Sequence, residues 1–366
     1  MVGDGRLGFR LPHSFPVPSR RPARDVIPNP RQESDMPHSL RMGGRRWLLA
    51  TTLLVTLTAC INPETIAAPN AVEPPTAEAS GLLAPAGYTS GQVYYGVNRY
   101  VEYVPGTLPI IVSVGHNGTL TPSSIPDRTS GSLSTDGQTR DIARLLSDSL
   151  YKLTGKRPHL IVNHLSRRKL DVNRALDDGA TAAGATAARA AWTEYHNFID
   201  AAASAVTLQT GEGLYVDIHG HSHTIERVEL GYAVSGSALN NNSDASLTSG
   251  SYSGYSSYRH LAKVRSGYFA SMIRGSSSLG GLLQARGVAA IPSPTYRSPG
   301  SAPYFDGGYS VRRHGSRSSG VIEGVQVEIN RDLRFTDSSR LRFAGALARS
   351  ISSFQATWMG LTLATR

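Results

Sequence analysis

Cysteine is almost absent from this chain of 366 residues, in which Cys60 is the only one. A disulfide bond within the chain is therefore excluded, and so is a zinc site built from several cysteine thiolates. A metal site in this protein has to use histidine and carboxylate ligands instead.

Charged residues are also few, at 17% of the chain, although the formal net charge is +10. Much of that charge lies at the start, since residues 1–59 hold nine arginines and four acidic residues. The sequence has no lysine- or arginine-rich run with interleaved aromatic residues, so we expect no nucleic-acid partner. The hydrophobic fraction of 40% is typical of a chain that can bury a sizeable core.

The apolar run at 47–57 is shorter than the roughly 20 residues that a transmembrane helix needs. Arginines precede the run, and small residues separate it from Cys60. This pattern resembles the lipobox of bacterial lipoproteins, in which the cysteine carries acyl chains such as palmitate. We therefore expect residues 1–60 to be a leader and lipoprotein signal peptide. The alternative is a buried N-terminal helix with an incidental cysteine.

The residues after Cys60 fall into two parts. Residues 61–84 are rich in proline and alanine and are predicted to form a flexible tether. Residues 85–366 are predicted to form a single domain. A lipid on Cys60 would hold this domain at a membrane of the cell envelope, and Ile61 after the cysteine favours the outer membrane over the inner one.

Apolar runs and helical periodicities alternate along the predicted domain. The predicted strands are 108–114, 160–162, 214–219, 288–291 and 321–329. The predicted helices are 137–153, 180–206, 259–286 and a closing helix that contains Leu347 to Trp358, whereas 235–258 reads as a surface loop. This order predicts an α/β fold, with a mixed, mostly parallel sheet and helices on both faces.

Polar side chains at the C-terminal ends of the strands are expected to form the functional site of such a sheet. His116 follows the first strand, His219 ends the third, and Glu328 lies in the last. Two histidines and one carboxylate are the ligands of a hydrolytic zinc ion, which leaves a position for water. We assign His116, Asp136 and His219 as zinc ligands and Glu328 as the general base.

Each of these residues also has a purely structural interpretation. His116 could be a turn residue, Asp136 the N-cap of the following helix, and Glu328 a partner in an ion pair. His221 and His223 would share a strand face with His219 by the two-residue period of a strand, so all three could bind the metal. We expect the strand to end near His219, which leaves His221 to contact the substrate.

Two arginine-containing segments complete the predicted site. Segment 166–174 follows the second strand, and Arg174 is our first choice for binding a substrate carboxylate through its planar guanidinium. Asp171 and Asn173 would orient Arg174 and contact the substrate. The alternative is a solvated basic loop.

The second basic segment, 307–315, is flanked by glycines. We expect it to close over the substrate. Arg312 or Arg313 would then add a contact to the bound molecule.

The ordered motifs resemble the N-formylglutamate amidohydrolase family. The matching segments are VSVGHNG at 112–118, the D-x-x-T segment at 136–139, SRRKLDVNR at 166–174, WTEYHNFI at 192–199, GLYVDIHGHSH at 213–223, GGYSVRRHG at 307–315 and VQVEINR at 325–331. The resemblance implies a phosphorylase/hydrolase-like, zinc-exopeptidase architecture and zinc-dependent hydrolysis of an N-acyl amide.

The resemblance also implies roles for individual residues. The family's metal-site histidines fall on His116 and His219, and its late strand glutamate falls on Glu328. The arrangement is similar to that of zinc amidases that cut peptidoglycan, in which an acidic ligand lies between the two histidines, and Asp136 would fill that position. The chain departs from the family in having Gly115 where a proline is usual.

The leading hypothesis is a zinc-dependent amidohydrolase at the cell envelope, acting on a small acyl-amino-acid or peptide-like substrate that bears a carboxylate. The lipoprotein leader is unlike the cytoplasmic members of the family, so the substrate is expected to differ. One alternative is a peptidoglycan amidase or peptidase. The other is a non-catalytic lipoprotein that binds such molecules.

Overall fold

The computed structural model describes residues 87–363. The predicted leader, the lipidation site at Cys60 and the tether at 61–84 lie outside the described residues, so they remain predictions. Within the described part, the helices are too short or too polar to cross a membrane.

A sheet of eight strands forms the centre of the described part. Its strands are β1 Tyr94–Tyr95, β2 Val101–Val104, β3 Ile110–Val114, β4 His159–Asn163, β5 Gly213–Gly220, β6 Val228–Gly231, β7 Ala290–Ile291 and β8 Ile322–Ile329. The order across the sheet is β1-β2-β4-β3-β5-β8-β6-β7. The pairs within β4-β3-β5-β8 are parallel, and so is the pair β6-β7, whereas the other pairs are antiparallel. The prediction of a mixed α/β sheet is therefore confirmed.

Helices cover both faces of this sheet, as predicted. The helices of the described part are α1 Thr139–Thr154, α2 Leu176–Gly179, α3 Thr186–Thr210, α4 Gly236–Asn241, α5 Asp244–Ser249, α6 Tyr252–Tyr255, α7 Arg259–Val264, α8 Phe269–Arg274, α9 Leu279–Gln284, α10 Tyr309–His314 and α11 Asp337–Trp358. Successive strand side chains point to opposite faces. Ile110 and Val112 accordingly join one core with α1 and α11, while Ile111 and Tyr215 join a second core with α3.

The region 235–286 departs from the prediction in two ways. The surface loop expected at 235–258 is wrong, because this segment contains the short helices α4, α5 and α6, two of which are capped by the hydroxyls of Ser235 and Ser243. The long helix expected at 259–286 is also wrong. It is broken into α7, α8 and α9, with left-handed backbone at Gly267 and a new N-cap at Ser278.

Strands β2 and β6 were not predicted, and the reason is the same for both. Each carries a buried glutamate inside a short apolar segment, Glu102 in β2 and Glu229 in β6. A search for apolar runs passes over such strands. Glu229 nevertheless places β6 beside the functional site, as its contacts show below.

Candidate metal centre and active site

The order of the strands brings three of the predicted site residues together. The C-terminal ends of β3, β5 and β8 lie next to one another in the sheet. His116 comes two residues after β3 ends, and His219 lies near the end of β5. Glu328 of β8 is the direct register partner of His219, so both side chains lie on the same face.

Two imidazole rings point the same nitrogen at one carboxylate oxygen. The Nδ1 atoms of His116 and His219 each lie 3.2 Å from Oδ2 of Asp136. The two ring centroids are 4.6 Å apart, and all three side chains are buried. Neighbouring ligands of a tetrahedral zinc ion are about 3.3 Å apart when each bond is near 2.0–2.1 Å. These three side chains could therefore bind one metal ion.

The loop before α1 positions Asp136. Its backbone N–H donates to the carbonyl of His116 at 3.0 Å, and its Oδ2 also accepts the N–H of Gly220 at 3.3 Å. The N-cap of α1 is Gln138, whose backbone is left-handed, with φ of 69°. The side chain of Asp136 therefore faces the two histidines and does not cap the helix, which removes the structural alternative considered for it.

A second carboxylate lies behind each histidine. Nε2–H of His116 donates to Oδ1 of Asp171 at 2.6 Å, and Nε2–H of His219 donates to Oδ2 of Asp217 at 2.9 Å. In the absence of a cation, Nδ1–H also donates to Asp136; with the proton on Nε2 alone, the lone pair of Nδ1 would face the position of a cation beside Asp136. Carboxylates in this position orient metal-bound histidines and increase their basicity.

Neither of these outer carboxylates was assigned its role from the sequence. Asp171 was predicted to contact the substrate, but it is fully buried behind His116 and does not line the cavity. Asp217 was not predicted at all. It precedes His219 by two residues on the same strand face, so the two-residue period of β5 was the signal that could have found it.

The electrostatics of the cluster favour a cation at its centre. Burial alone would raise the pKa of Asp136, but the imidazoles of His116 and His219 outweigh it and hold that pKa well below its usual range. Burial alone would lower the pKa of His219, but Asp217 and Asp136 raise it well above its usual value. With Nδ1 and a carboxylate oxygen facing each other, either protons or a metal ion must lie between them.

Glu328 is placed as a base would be. Its carboxylate is buried, and Oε1 accepts a hydrogen bond from Nε2 of Gln326 at 2.8 Å. Oε2 has no hydrogen-bond partner in the described part of the chain, although it is buried. Burial raises the pKa of Glu328 to about 7, against the charge of His219, which lowers it. An unpartnered buried oxygen beside the three candidate ligands fits a site that takes up water and a metal ion.

A cavity of about 750 Å³ opens above these residues. Arg174 lines it, and the side chain is half-exposed, with Nε 3.8 Å from Asp171. Asn173 also lines the cavity, and its Oδ1 accepts the N–H of Ser310 at 2.8 Å. Arg174 therefore presents a loosely held guanidinium to any molecule in the cavity, and Asn173 fixes the start of α10.

The other residues predicted to contact the substrate already have partners within the protein. Arg312 lines the cavity but pairs with Asp306 at 2.8 Å. Arg313 does not line the cavity and lies over the ring of Trp192 instead. His221 lines the cavity, yet its Nε2–H donates to the carbonyl of Arg227 at 2.8 Å, and its Nδ1 accepts the backbone N–H of the residue two positions on.

Comparisons with known proteins place two solved structures near this chain. No protein-family model matches the chain, and no curated protein matches it either. The gene product Atu2144 from Agrobacterium tumefaciens has a TM-score of 0.41 and 16% identity, over 68% of this chain and 91% of that one. An N-formylglutamate amidohydrolase from Ralstonia eutropha JMP134 has a TM-score of 0.38 and 12% identity, over 68% and 92%. Likenesses at this level do not identify a family, so the zinc-exopeptidase architecture stays a prediction.

Proposed function

We propose that this protein is a metal-dependent amidohydrolase, which cleaves an N-acyl amide of a carboxylate-bearing substrate such as N-formylglutamate. The observation that carries the proposal is the convergence of two imidazole Nδ1 atoms on one oxygen of Asp136, each 3.2 Å away. The carboxylates behind the rings support it, because they hold a proton on each Nε2, so that Nδ1 is the nitrogen that would coordinate a metal ion.

The cofactor proposed for this site is a single zinc ion. Nδ1 of His116, Oδ2 of Asp136 and Nδ1 of His219 would hold it, and this set of two histidines and one carboxylate is common in hydrolytic zinc sites. Zinc held there would supply Lewis acidity, which would lower the pKa of water and polarise an amide carbonyl.

Glu328 carries the proton transfers. Its free Oε2 accepts a proton from the water that attacks the amide carbonyl, and it then returns that proton to the nitrogen that leaves. Gln326 holds the other oxygen, which fixes the direction in which Oε2 points. Burial raises the pKa of Glu328 above that of an exposed glutamate, which favours acceptance of a proton from water.

Arg174 is the residue proposed to bind the substrate carboxylate. A guanidinium pairs with a carboxylate through two parallel hydrogen bonds, and in the described part the only carboxylate within 4 Å of this one is that of Asp171, at 3.8 Å. Arg312 is less suitable, since its guanidinium already pairs with Asp306. Asn173 would keep the neighbouring start of α10 in place beside the bound molecule.

The proposed location is the cell envelope, where a lipid on Cys60 would anchor the protein to a membrane. Ile61 after the cysteine favours the outer membrane over the inner one. Labelling of the expressed chain with a radioactive fatty acid tests this anchor. A Cys60→Ser variant is expected to lose the label and to leave the membrane fraction.

The test of the enzymatic proposal compares two buried glutamates of β8. The purified full-length chain is expected to bind one zinc ion and to release formate from N-formylglutamate. Glu328→Gln is expected to retain zinc but lower kcat by about 10²–10⁴-fold, since it removes the proton acceptor. Glu323→Gln, a change of the same chemistry at a residue that does not line the cavity, is the matched control and should keep wild-type kcat.

Other outcomes separate the alternatives. Release of products from purified cell-wall sacculi, with no action on small N-acyl amino acids, would favour a peptidoglycan amidase or peptidase. Ligand binding without turnover, and unchanged by a chelator, would favour a non-catalytic binding protein. Failure of the intact chain to bind zinc would contradict the proposal itself.

A further inference from the structure

One wall of the cavity is formed by two stacked rings, His223 and Phe305. Both residues line the cavity. Their ring centroids are 4.7 Å apart, and the rings are 16° from parallel. The side chain of Phe305 remains exposed, at 42% of its full accessible surface. We call this pair the aromatic wall.

A single buried carboxylate holds the aromatic wall together. Oε1 of Glu229 accepts a hydrogen bond from Nδ1–H of His223, and Oε2 accepts the backbone N–H of Phe305, both at 2.8 Å. Glu229 is only 1% exposed and is the register partner of Glu328 across β6 and β8. The wall is therefore built onto the same strands that carry the proposed base.

Arg174 and the aromatic wall are tied to different residues of the candidate site. Arg174 lies beside Asp171, which contacts His116 after β3, whereas the wall is attached to Glu229 in β6, the register partner of Glu328. Strands β5 and β8, which carry His219 and Glu328, lie between β3 and β6 in the sheet.

A molecule bound to Arg174 through its carboxylate, with its amide at the candidate metal centre, would therefore direct its acyl group toward the Glu328 side of the cavity, where the aromatic wall lies.

We propose that the aromatic wall binds an apolar acyl group, so that the preferred substrates are N-acyl amino acids with an acyl group much larger than formyl. This inference rests on the proposed function for the orientation of the substrate. An exposed phenyl ring in an otherwise polar cavity gains contact area from an apolar or aromatic partner, which removes both surfaces from water. Glu229 acts as a positioning residue, because it fixes both rings without facing the substrate.

The experiment compares N-benzoyl-L-glutamate with N-formyl-L-glutamate on the full-length, zinc-loaded chain. Binding is measured by calorimetry, with the Glu328→Gln variant as well as the wild type, and turnover is measured by release of glutamate. We expect the benzoyl compound to bind about tenfold more tightly, in line with burial of one aromatic ring. Phe305→Ala should reduce this ratio to about one, and Phe305→Leu should preserve part of it.

Tyr255→Ala is the matched control, since Tyr255 is an aromatic residue that is 58% exposed and does not line the cavity. It should leave the ratio unchanged. Equal affinity of the wild type for both compounds would overturn the inference, and so would a proportional loss of both affinities in Phe305→Ala. The binding ratio is decisive even if neither compound is hydrolysed, whereas absence of turnover counts only against the proposed function.

Discussion

Two groups of two histidines and one carboxylate lie close together in the described part of the chain, and they differ in what their nitrogens face. In the first group, His116 and His219 direct Nδ1 at the same oxygen of Asp136. In the second, the members are His221, His223 and Glu229. The two groups have the same composition and are both largely buried.

The hydrogen-bond partners separate the two groups. In the second, both ring nitrogens of His221 are bonded to backbone atoms, and both oxygens of Glu229 accept hydrogen bonds. These four atoms are therefore satisfied by protein groups alone. In the first, the outer nitrogens are satisfied by carboxylates while the inner ones face another acceptor, Asp136. Donor composition alone therefore does not predict a metal site; the convergence of two imidazole nitrogens on one carboxylate oxygen does.

The largest expected effect is on zinc affinity when one member of each group is removed. His219→Ala should weaken zinc binding by more than about 100-fold, because loss of a mere outer partner already costs about 10–100-fold. His223→Ala should change it by less than about threefold. Competition with a chromogenic chelator on the full-length chain measures both. A comparable loss in His223→Ala would show that the second group also binds the ion.

A smaller effect is expected from the carboxylates behind the rings. Asp217→Asn should reduce zinc affinity by about 10–100-fold, because the amide no longer holds Nε2–H of His219 with a full negative charge. Glu229→Gln is the matched change in the second group and should leave zinc affinity unchanged. The same chelator competition measures the two variants. Equal zinc affinities in Asp217→Asn and the wild type would contradict the proposed role of the outer carboxylate of the first group.

The buried carboxylate of Glu323 shows how burial shifts a pKa when no cation lies nearby. Glu323 accepts hydrogen bonds from the N–H of Leu261 and the hydroxyl of Ser316, both at 2.7 Å. Burial raises its pKa to about 8, against these two hydrogen bonds, which lower it. In Asp136, by contrast, the neighbouring imidazoles lower the pKa despite burial.

The smallest expected effect is therefore a pH-dependent change in stability in Glu323→Gln. The folded-state pKa lies above the unfolded value of 4.5, so the wild-type group contributes stability that is fully present below pH 4.5 and lost as pH rises to about 8. Glutamine stays neutral: its Oε1 accepts the N–H of Leu261, and its Nε2–H donates to the hydroxyl of Ser316, which can donate to the carbonyl of Ser257. The free energy of unfolding of the variant should equal that of the wild type at pH 4.5. At pH 8 it should be larger by about a few kcal/mol. Urea unfolding between pH 4.5 and 8 measures this, and a gain that does not vary with pH would contradict it.

The sequence was sufficient to predict the central strands but less of their surroundings. Strands β3, β4, β5 and β8 are apolar runs buried on both faces, and such runs are visible without a structure. Strands with an internal glutamate, such as β6, are not. The glycines and serine caps that divide 259–286 were present in the sequence, but helical periodicity outweighed them in the prediction.

The candidate site shows the same division. His116, Asp136 and His219 were found because each lies at a strand end or helix start, and topology brings such ends together. The role of Asp171 was missed because the sequence does not show which face of His116 it contacts. Phe305 was missed because its position depends on a backbone contact to Glu229 that is distant in the sequence.

A glycine in β6 sets how near the aromatic wall comes to the sheet. A Cβ atom added at Gly231 would lie 2.4 Å from the backbone nitrogen of Gly307 and 2.7 Å from the carbonyl carbon of Asp306. The segment that carries Phe305 and Asp306 therefore packs directly against the backbone of β6 at Gly231. Alanine at 231 would therefore displace this segment and widen the cavity beside Phe305. If the aromatic wall selects the acyl group as proposed, this change would alter substrate preference without replacing any of the proposed catalytic groups.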